Sequence, residues 1–198
     1  MLETLMHAGF VVRDEHHTAY EVTGKTLLLC SGYDRHRAVG RIVGPIIAAF
    51  RNRFGWPSDV AIFDHDAMVL IESSRDTGSI LVNRLPGYRA PMLGTSLGLA
   101  YLAFASDDER EEVLERVTAM PAVWNEIARD REKAECYLAG IRDQGYATMH
   151  DEYSRTEYGR RISTIGVPIL VGGRSVAAMN VLYLKSALPV DEAVKTMV

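Results

Sequence analysis

The sequence predicts an α+β fold with a largely antiparallel six-stranded sheet and flanking helices. Six strand-like segments follow residue 35, in two groups of three that a run of helical segments separates. Strands grouped in this way favour an antiparallel sheet, whereas a doubly wound parallel sheet alternates strands with helices. The strongest hairpin signal is Gly172-Gly173, which lies between two long apolar runs.

Composition excludes several functional classes. The 198 residues suffice for one good core, and 47% hydrophobic and 24% charged residues are ordinary values for a globular protein. A net charge of -4 gives no electrostatic footprint for nucleic acid in the chain as it stands. Cys30 and Cys136 form no CxxC motif, and we see neither a signal peptide nor a bilayer-spanning run. We therefore expect a cytoplasmic protein without a membrane partner.

The first 33 residues predict a helix end followed by a hairpin. Residues 1–9 read as a helix with Gly9 just past its end, and residues 10–12 and 19–22 read as two short strands. This order remains when a winged helix-turn-helix is cut through its recognition helix, although any helix followed by a hairpin fits it. Residues 23–33 form either a short connecting helix or an extended linker.

The next segments predict a helix and three strands. Residues 35–54 form an amphipathic helix with Pro45 inside it, and its inward side chains are Val39, Ile42, Val43, Ile46, Ile47 and Phe50. Strands over 59–63 and 68–73 flank a polar turn, and a third strand covers 79–84. Asp64, His65 and Asp66 resemble metal ligands, but a polar turn explains them and we expect no metal.

Residues 85–104 read as a glycine-punctuated loop that runs into an apolar helix. Thr95 or Ser96 is the predicted N-cap. Small residues at 94–96 leave the first backbone N–H groups of the helix uncovered, and these unpaired donors favour a carboxylate. The alternative is an ordinary capped core helix.

The remainder predicts helices over 107–117 and 123–141, the second ended by Gly145, and then a short strand over 146–149. Residues 150–160 read as a polar, aromatic loop. Strands over 162–171 and 175–184 form the Gly172-Gly173 hairpin, and a last helix begins near Val190.

Motifs for catalysis are absent from the sequence, which has no P-loop, no GxGxxG after a strand, no HExxH and no GxSxG. Ser96 and His150 would need a third group to orient them before they resembled a hydrolase pair. We therefore expect no catalytic residue, no metal and no cofactor.

The sequence instead predicts a pocket for a small organic acid. Backbone donors come from the loop Gly94-Thr95-Ser96-Leu97, and Met149 and His150 close the site together with Tyr153. The last two strands would face this loop. If the hairpin register follows the period-two alternation, four of their side chains lie on the side that faces it: Ser163, Ile165, Asn180 and Leu182. The alternative places Ser163 and Asn180 at an edge or in solvent, which fits Asn180 poorly because Met179 and Val181 flank it.

Three stretches together resemble the IclR family of transcriptional regulators. The family's recognition-helix end and wing are similar to LETL, AGFVVRD and AYEVTGKTLLL of this chain. Its signature loop and helix are similar to GYRAPMLGTSLGLAYLAF. Its final hairpin is similar to ISTIGVPIL with GRSVAAMNVLYL. The resemblance covers nearly the whole chain in order. It implies a winged helix-turn-helix that binds operator DNA, a linker, and a GAF-like effector domain in dimers and often tetramers.

The resemblance also implies site residues and a ligand class. The family's pocket motif, matched onto this chain, selects Ser96, Leu97, Ser163, Asn180 and Leu182, with Met149 or His150. Members that bind small acids use serines on the last strand, so Asn180 and Leu182 favour a larger, more apolar ligand. Trp56-Pro57, DHDAMV and LGLAYLAF are most similar to the MhpR-type branch, which implies an aromatic acid such as a phenylpropionate.

The expected organisation has three parts: residues 1–24 as a truncated wing and helix end, 25–34 as a linker, and 35–198 as the effector-binding domain. Most of the DNA-binding module is then missing, so we expect this chain to sense a ligand and to bind operator DNA poorly. The alternative is a stand-alone carrier or an enzyme on a GAF-like fold.

Overall fold

A computed structural model describes residues 1–13, 19–30, 35–75 and 86–198. The chain divides between Val39 and Gly40 into two compact units. The first contains a short helix, a two-stranded antiparallel hairpin and a second short helix preceded by a 3₁₀ turn over Gly24–Thr26. These elements are α1 (Leu2–His7), β1 (Val11–Arg13), β2 (Tyr20–Val22) and α2 (Leu27–Cys30).

The predicted helix end and hairpin of the first unit are confirmed. The Gly9 N–H donates to the Met6 carbonyl and the Phe10 N–H to the Leu5 carbonyl, both at 2.9 Å. These two bonds are the Schellman arrangement that closes a helix with glycine at C′. The Thr23 hydroxyl donates to the Gly9 carbonyl at 2.7 Å and so joins the end of β2 to the end of α1.

The second unit carries one six-stranded sheet in the order β5-β4-β3-β8-β7-β6, and every pairing is antiparallel. The strands are β3 (Ser58–Asp64), β4 (Ala67–Ser73), β5 (Arg89–Pro91), β6 (Ala147–Thr148), β7 (Ile162–Val171) and β8 (Arg174–Leu184). The helices are α3 (Arg35–Phe54), α4 (Ser96–Ala103), α5 (Asp107–Thr118), α6 (Arg131–Gln144), α7 (Asp151–Tyr158) and α8 (Val190–Met197). The first residues of α3 precede the division at Gly40. The predicted α+β class and antiparallel sheet are therefore confirmed.

The predicted third strand over 79–84 lies outside the described residues. Among those described, β5 forms the sheet edge next to β4, with Met68 opposite Ala90. This strand lies between two cavities, one lined by Ala90 and the other by Arg89 and Pro91.

Two predicted elements are wrong. Residues 150–160 were expected to be a loop, but 151–158 form α7, because His150 Nδ1 accepts the Glu152 N–H at 3.2 Å and caps the helix. The single helix over 123–141 is a 3₁₀ helix over Val123–Arg129 followed by α6. Asp130 has extended backbone geometry there, and its carboxylate accepts the Lys133 N–H at 3.1 Å as the N-cap of α6.

The helix over 35–54 has the predicted limits but not the predicted inward face. Ile47 is buried, whereas Ile42 and Ile46 are 69% and 59% exposed. Periodicity therefore located the helix without identifying which side chains are covered. Within the described residues no helix is long and apolar enough to cross a membrane.

Helix α4 lies at the centre of the second unit, and all eight of its residues are buried. It packs on β7 and β8 on one side and on α6 on the other. The approach to the sheet is so close that a Cβ on Gly166 of β7 would overlap the Ser96 carbonyl. Glycine at 166 is therefore what allows the first turn of α4 to rest directly on the strand.

The register of the last hairpin departs from the simple two-residue period. Gly172 and Gly173 form the turn with φ of 59° and 79°, but the pairing shifts between Ile169 and Leu170. Leu170 faces Ser175 and Ile169 faces Ala177, so Val176 is an extra residue on β8. This bulge moves every later pair by one residue, because a one-residue slip exchanges the two faces of a strand.

As a result, Thr164 faces Leu182 and Gly166 faces Asn180, while Ser163 faces Tyr183. Directly opposed residues share a face of the sheet. The prediction that Ser163 and Ile165 lie on one face with Asn180 and Leu182 is therefore wrong. Ile165 packs with Tyr183 and Ala193 under α8, on the opposite face from α4.

Candidate functional site

The site begins at the first turn of α4. Thr95 is its N-cap: its hydroxyl accepts the Gly98 N–H at 3.1 Å and donates to the Pro91 carbonyl at 2.8 Å. The Ser96 hydroxyl lies 2.7 Å from that of Thr164. The N–H groups of Ser96 and Leu97 precede the first intrahelical hydrogen bond and remain donors at the positive end of the helix dipole.

Asn180 lies beside this helix start, because its pair partner Gly166 contacts Ser96. Only 6% of Asn180 is exposed, and its Oδ1 accepts the Asp59 N–H at 3.1 Å. The oxygen is thus held by β3, which leaves Nδ2 as the donor end of the amide. A second donor group therefore reaches the same end of the site.

A buried ion pair forms the neighbouring wall. Arg75 Nε donates to Asp59 Oδ1 at 2.9 Å, and Nη2 binds the other carboxylate oxygen, so the pair is bidentate. Ser73 Oγ donates to Asp59 Oδ1 at 2.8 Å. The two charged side chains are 3% and 1% exposed. Buried charges of opposite sign in this geometry satisfy each other, so the wall is polar without a net charge.

Tyrosines form the other end of the site. The hydroxyls of Tyr88 and Tyr153 are 3.0 Å apart, and the Tyr153 ring contacts Tyr158 and Trp124 edge-on with centroid separations of 6.2 and 5.2 Å. Helix α7 carries Tyr153 and Tyr158. In its first turn, a hydrogen bond from Arg155 holds the pKa of Glu152 below its usual value.

These groups surround a narrow cavity of about 20 Å³, close to the room that one buried water needs. A ring-sized ligand therefore enters only when the lining side chains move apart. Polar and phenolic side chains alternate with apolar ones around it. The lining residues are Asp59, Leu70, Arg75, Tyr88, Ala90, Thr95, Leu97, Met149, Tyr153, Tyr158, Thr164 and Asn180.

Five of the residues predicted for the site line this cavity: Thr95, Leu97, Met149, Tyr153 and Asn180. Ser96 lies behind Thr164, to which its hydroxyl is bonded.

Five predicted residues lie around the cavity or away from it. The Gly94 carbonyl accepts the His150 N–H at 3.1 Å, so both residues hold α7 against the loop. Leu182 is buried in the apolar cluster with Met149 and Tyr153. Ser163 and Ile165 are on the other face of the sheet.

Sequence reasoning missed several lining residues. A carboxylate at Asp59 within an apolar strand was a signal for a buried charge, which needs a partner. Thr164 would have been selected in place of Ser163 if the bulge at Val176 had been recognised. Arg75 belongs to no motif. Tyr88 lies in the stretch GYRAPMLGTSLGLAYLAF but was not selected as a site residue, and the fold brings both side chains to the cavity.

The described residues include no group of three or more His, Cys, Asp or Glu side chains that could hold a metal ion. The turn once considered for metal binding has another role, because Arg89 binds the carboxylates of both Asp64 and Asp66. The hydrogen bond with Asp64 is the main cause that raises the pKa of Arg89.

Residues 34–196 match the protein family described as bacterial transcriptional regulator IclR C-terminal. A curated relative, the HTH-type transcriptional regulator TsaQ1/TsaQ2 of Comamonas testosteroni, is 26% identical over 180 residues. That alignment covers 87% of this chain, and the chain spans only 60% of the relative's length.

Two solved structures share the fold. An IclR homolog from Microbacterium hydrocarbonoxydans complexed with 4-hydroxybenzoate has a TM-score of 0.68 and 20% identity, over 99% of this chain and 78% of that one. A double mutant of the PobR inducer-binding domain from Acinetobacter, in complex with 3-hydroxybenzoic acid, has a TM-score of 0.60 and 17% identity, over 79% of this chain and 89% of that one.

Proposed function

The chain belongs to the IclR C-terminal family of bacterial transcriptional regulators, and we propose that its narrow cavity binds an aromatic carboxylic acid as the effector. In this proposal, effector binding controls transcription of genes for aromatic catabolism in the cytoplasm. The observation that carries it is a cavity with hydrogen-bond donors at one end and tyrosine hydroxyls at the other.

The donor end suits a carboxylate. The Ser96 and Leu97 N–H groups lie at a helix start, where unpaired donors and the helix dipole act together on an anion. Asn180 Nδ2 adds a donor from the sheet. The Asp59 charge does not oppose an anion here, because Arg75 neutralises it within the same cavity. We place the effector carboxylate at this end.

The remaining walls suit an aromatic ring with a hydroxyl group. Leu70, Leu97 and Met149 supply apolar contact, and the hydroxyls of Tyr88 and Tyr153 accept or donate to a ring substituent at the far end. Hydroxybenzoates in two similar structures support this class of ligand. The MhpR-like motifs support the phenylpropionates within it.

A binding role fits these contacts better than a catalytic one. The Ser96 hydroxyl is paired with Thr164, and His150 Nδ1 accepts a backbone N–H as a helix cap. In the part of the chain that the structure describes, neither side chain has a partner that would activate a nucleophile or a base. In this proposal the protein binds its ligand and releases it chemically unchanged.

The domain assignment extends this proposal to the rest of the chain. We assign residues 1–24 to the end of a winged helix-turn-helix, 25–34 to a linker and 35–198 to effector binding. The helix and hairpin of the first unit support the first assignment. Operator DNA is the proposed partner of the whole protein, and a homodimer or homotetramer its proposed assembly.

Calorimetric titration with 4-hydroxybenzoate and 3-(3-hydroxyphenyl)propionate tests the site. Asn180→Asp keeps the Oδ1 acceptor for Asp59 N–H but replaces the donor by a negative charge. We expect at least a roughly 100-fold loss of affinity for either acid, because like charges in a desolvated site repel strongly. The affinity of the same variant for the uncharged analogue 4-hydroxybenzamide should fall by less than about fivefold, because only a hydrogen bond is changed.

Ser163→Ala is the matched control, because Ser163 lies on the opposite face of β7. It should leave both affinities unchanged, whereas Thr164→Val should weaken them. Acid affinity that responds to Ser163→Ala and not to Asn180→Asp would show that this cavity is not the effector site.

A further inference from the structure

A second cavity lies on the other side of β5 from the first one. It has a volume of about 280 Å³ and lies between the β3–β4 turn, β5, the end of α5 and residues 120–125. Tyr88 and Ala90 line the first cavity, whereas Arg89 and Pro91 line the second. This is the alternation expected along a strand, so β5 separates the two compartments.

Most of the second cavity is apolar. Its inner wall consists of the buried side chains of Ala67, Met92 and Val117, and its outer rim includes Met120 and Ala122. The lining also contains Trp124, whose ring packs edge-on against Tyr153 of the first cavity at 5.2 Å between centroids. A flat, apolar compound would thus find both aliphatic and aromatic contacts.

One buried polar side chain in this cavity has an unused acceptor. Asn125 is 6% exposed, and its Nδ2 donates to the Met120 carbonyl at 3.3 Å. Since a carbonyl only accepts, the amide nitrogen must face Met120 and Oδ1 must point the other way. No donor from the described residues reaches Oδ1. Oδ1 is not among the fully buried atoms that lack a partner, so it is open to the cavity, where water or a ligand hydroxyl donates to it.

The charges at the mouth disfavour an anion. Arg89 is bound by both Asp64 and Asp66, and Arg116, which donates to the His65 carbonyl at 3.0 Å, is paired with Glu112. Asp66 and Arg89 are the charged residues among these that line the cavity, and they are bound to each other, so the cavity meets no uncompensated positive charge. This balance is unlike that of the first cavity, where the proposed carboxylate meets uncompensated donors.

From these contacts we propose that the second cavity is a separate binding site for a small, uncharged aromatic compound with a hydroxyl group. The hydroxyl donates to Asn125 Oδ1, and the ring packs against Trp124 and the aliphatic wall. The site is independent of the acid site, so both are occupied at the same time.

Titrations followed by NMR with phenol and toluene test the acceptor. We expect phenol to bind about 5- to 10-fold more tightly than toluene, the ratio that one buried hydrogen bond produces. In Asn125→Leu this preference should disappear. An unchanged preference in that variant, or a parent protein that binds no phenol, would overturn the proposal.

A second pair of variants tests the location without changing Asn125. Ala122→Phe fills the cavity from its partly exposed rim and should weaken phenol binding at least tenfold. Val123→Phe adds the same ring at a neighbour that is 53% exposed and does not line the cavity, so it should bind phenol normally. Equal phenol affinity in the two variants would contradict the site.

Simultaneous occupancy is the last requirement. Phenol should bind with the same affinity, within about twofold, after the first cavity has been saturated with 4-hydroxybenzoate. Competition between the two compounds would place phenol in the first cavity and overturn the proposal.

Discussion

The hydroxyl of Ser96, the first residue of α4, lies 2.7 Å from the hydroxyl of Thr164 in the middle of β7. This bond joins the donor end of the central helix directly to the sheet. It is possible because Gly166, two residues further along β7, leaves space for the Ser96 carbonyl. The position of the first turn of α4, which carries the backbone donors, therefore depends on the absence of a side chain at Gly166.

Gly166→Ala should destabilise the protein severely. The added Cβ would overlap the Ser96 backbone, and overpacking of this kind costs about 1–3 kcal/mol or more. Chemical denaturation should show the loss. Gly140→Ala is the control, because a Cβ at 140 in α6 meets nothing within 4 Å and should stabilise the helix by up to about 1 kcal/mol. Similar stability in the two variants would refute the close contact.

Arg75→Met should lower the free energy of unfolding by about 3–5 kcal/mol, because it leaves the Asp59 carboxylate buried without its partner. The double variant with Asp59→Leu should be more stable than Arg75→Met, since replacing both charges by apolar groups is often neutral. Urea denaturation of the three proteins measures this. A double variant less stable than the single one would contradict a desolvated pair.

Glu152→Gln should lower the thermal midpoint at pH 7 but not in acid. A hydrogen bond from Arg155 is the main cause that lowers the folded-state pKa of Glu152, with Arg160 and His150 contributing. A lowered folded pKa means that the carboxylate stabilises the fold above its unfolded pKa. That stabilisation is lost as the pH falls through the folded pKa, which lies below the ordinary value of a glutamate. Parent and variant should therefore converge below that value.

The control for this pH dependence is Glu115→Gln, at an exposed position of α5 for which the described residues supply no ion pair. Its midpoint should follow that of the parent at every pH. If the parent and Glu152→Gln differ as much in acid as at pH 7, charge is not the cause of the difference.

Residues 35–198 should fold without residues 1–34 and unfold in one cooperative transition. Three hydrophobic clusters that described residues form around α4 and the sheet lie after Gly40. In the first unit, by contrast, Val11 is the one described side chain that is buried, and Leu27, Leu28 and Leu29 are more than 60% exposed. Calorimetry of the shortened chain tests the first statement.

Hydrogen exchange of the whole chain tests the difference between the units. Amides of β1 and β2 should exchange faster than those of β8, because few apolar contacts hold the hairpin. Equal protection of Val11 and Tyr183 would show that the first segment is not the less stable one.

Local signals in the sequence were sufficient for most elements. Ser106-Asp107-Asp108-Glu109 has the S-x-x-E pattern of a capping box, and the Ser106 hydroxyl accepts the Glu109 N–H at 3.3 Å. Thr95 caps α4, as the sequence predicted. Gly145 ends α6 in the left-handed conformation. These features depend on residues within a few positions of each other, so the printed sequence contains the information.

The sequence by itself determined the α+β class, the antiparallel hairpins, the capped central helix and the choice of the 94–97 loop as one side of a pocket. Only the tertiary structure decided which residues face that loop. One extra residue at Val176 exchanged Ser163 for Thr164, and long-range packing brought Asp59, Arg75 and Tyr88 to the same cavity. The reason is physical: capping and turn formation act over a few bonds, whereas strand register and the pairing of buried charges depend on groups that are distant in sequence and become neighbours only when the sheet forms.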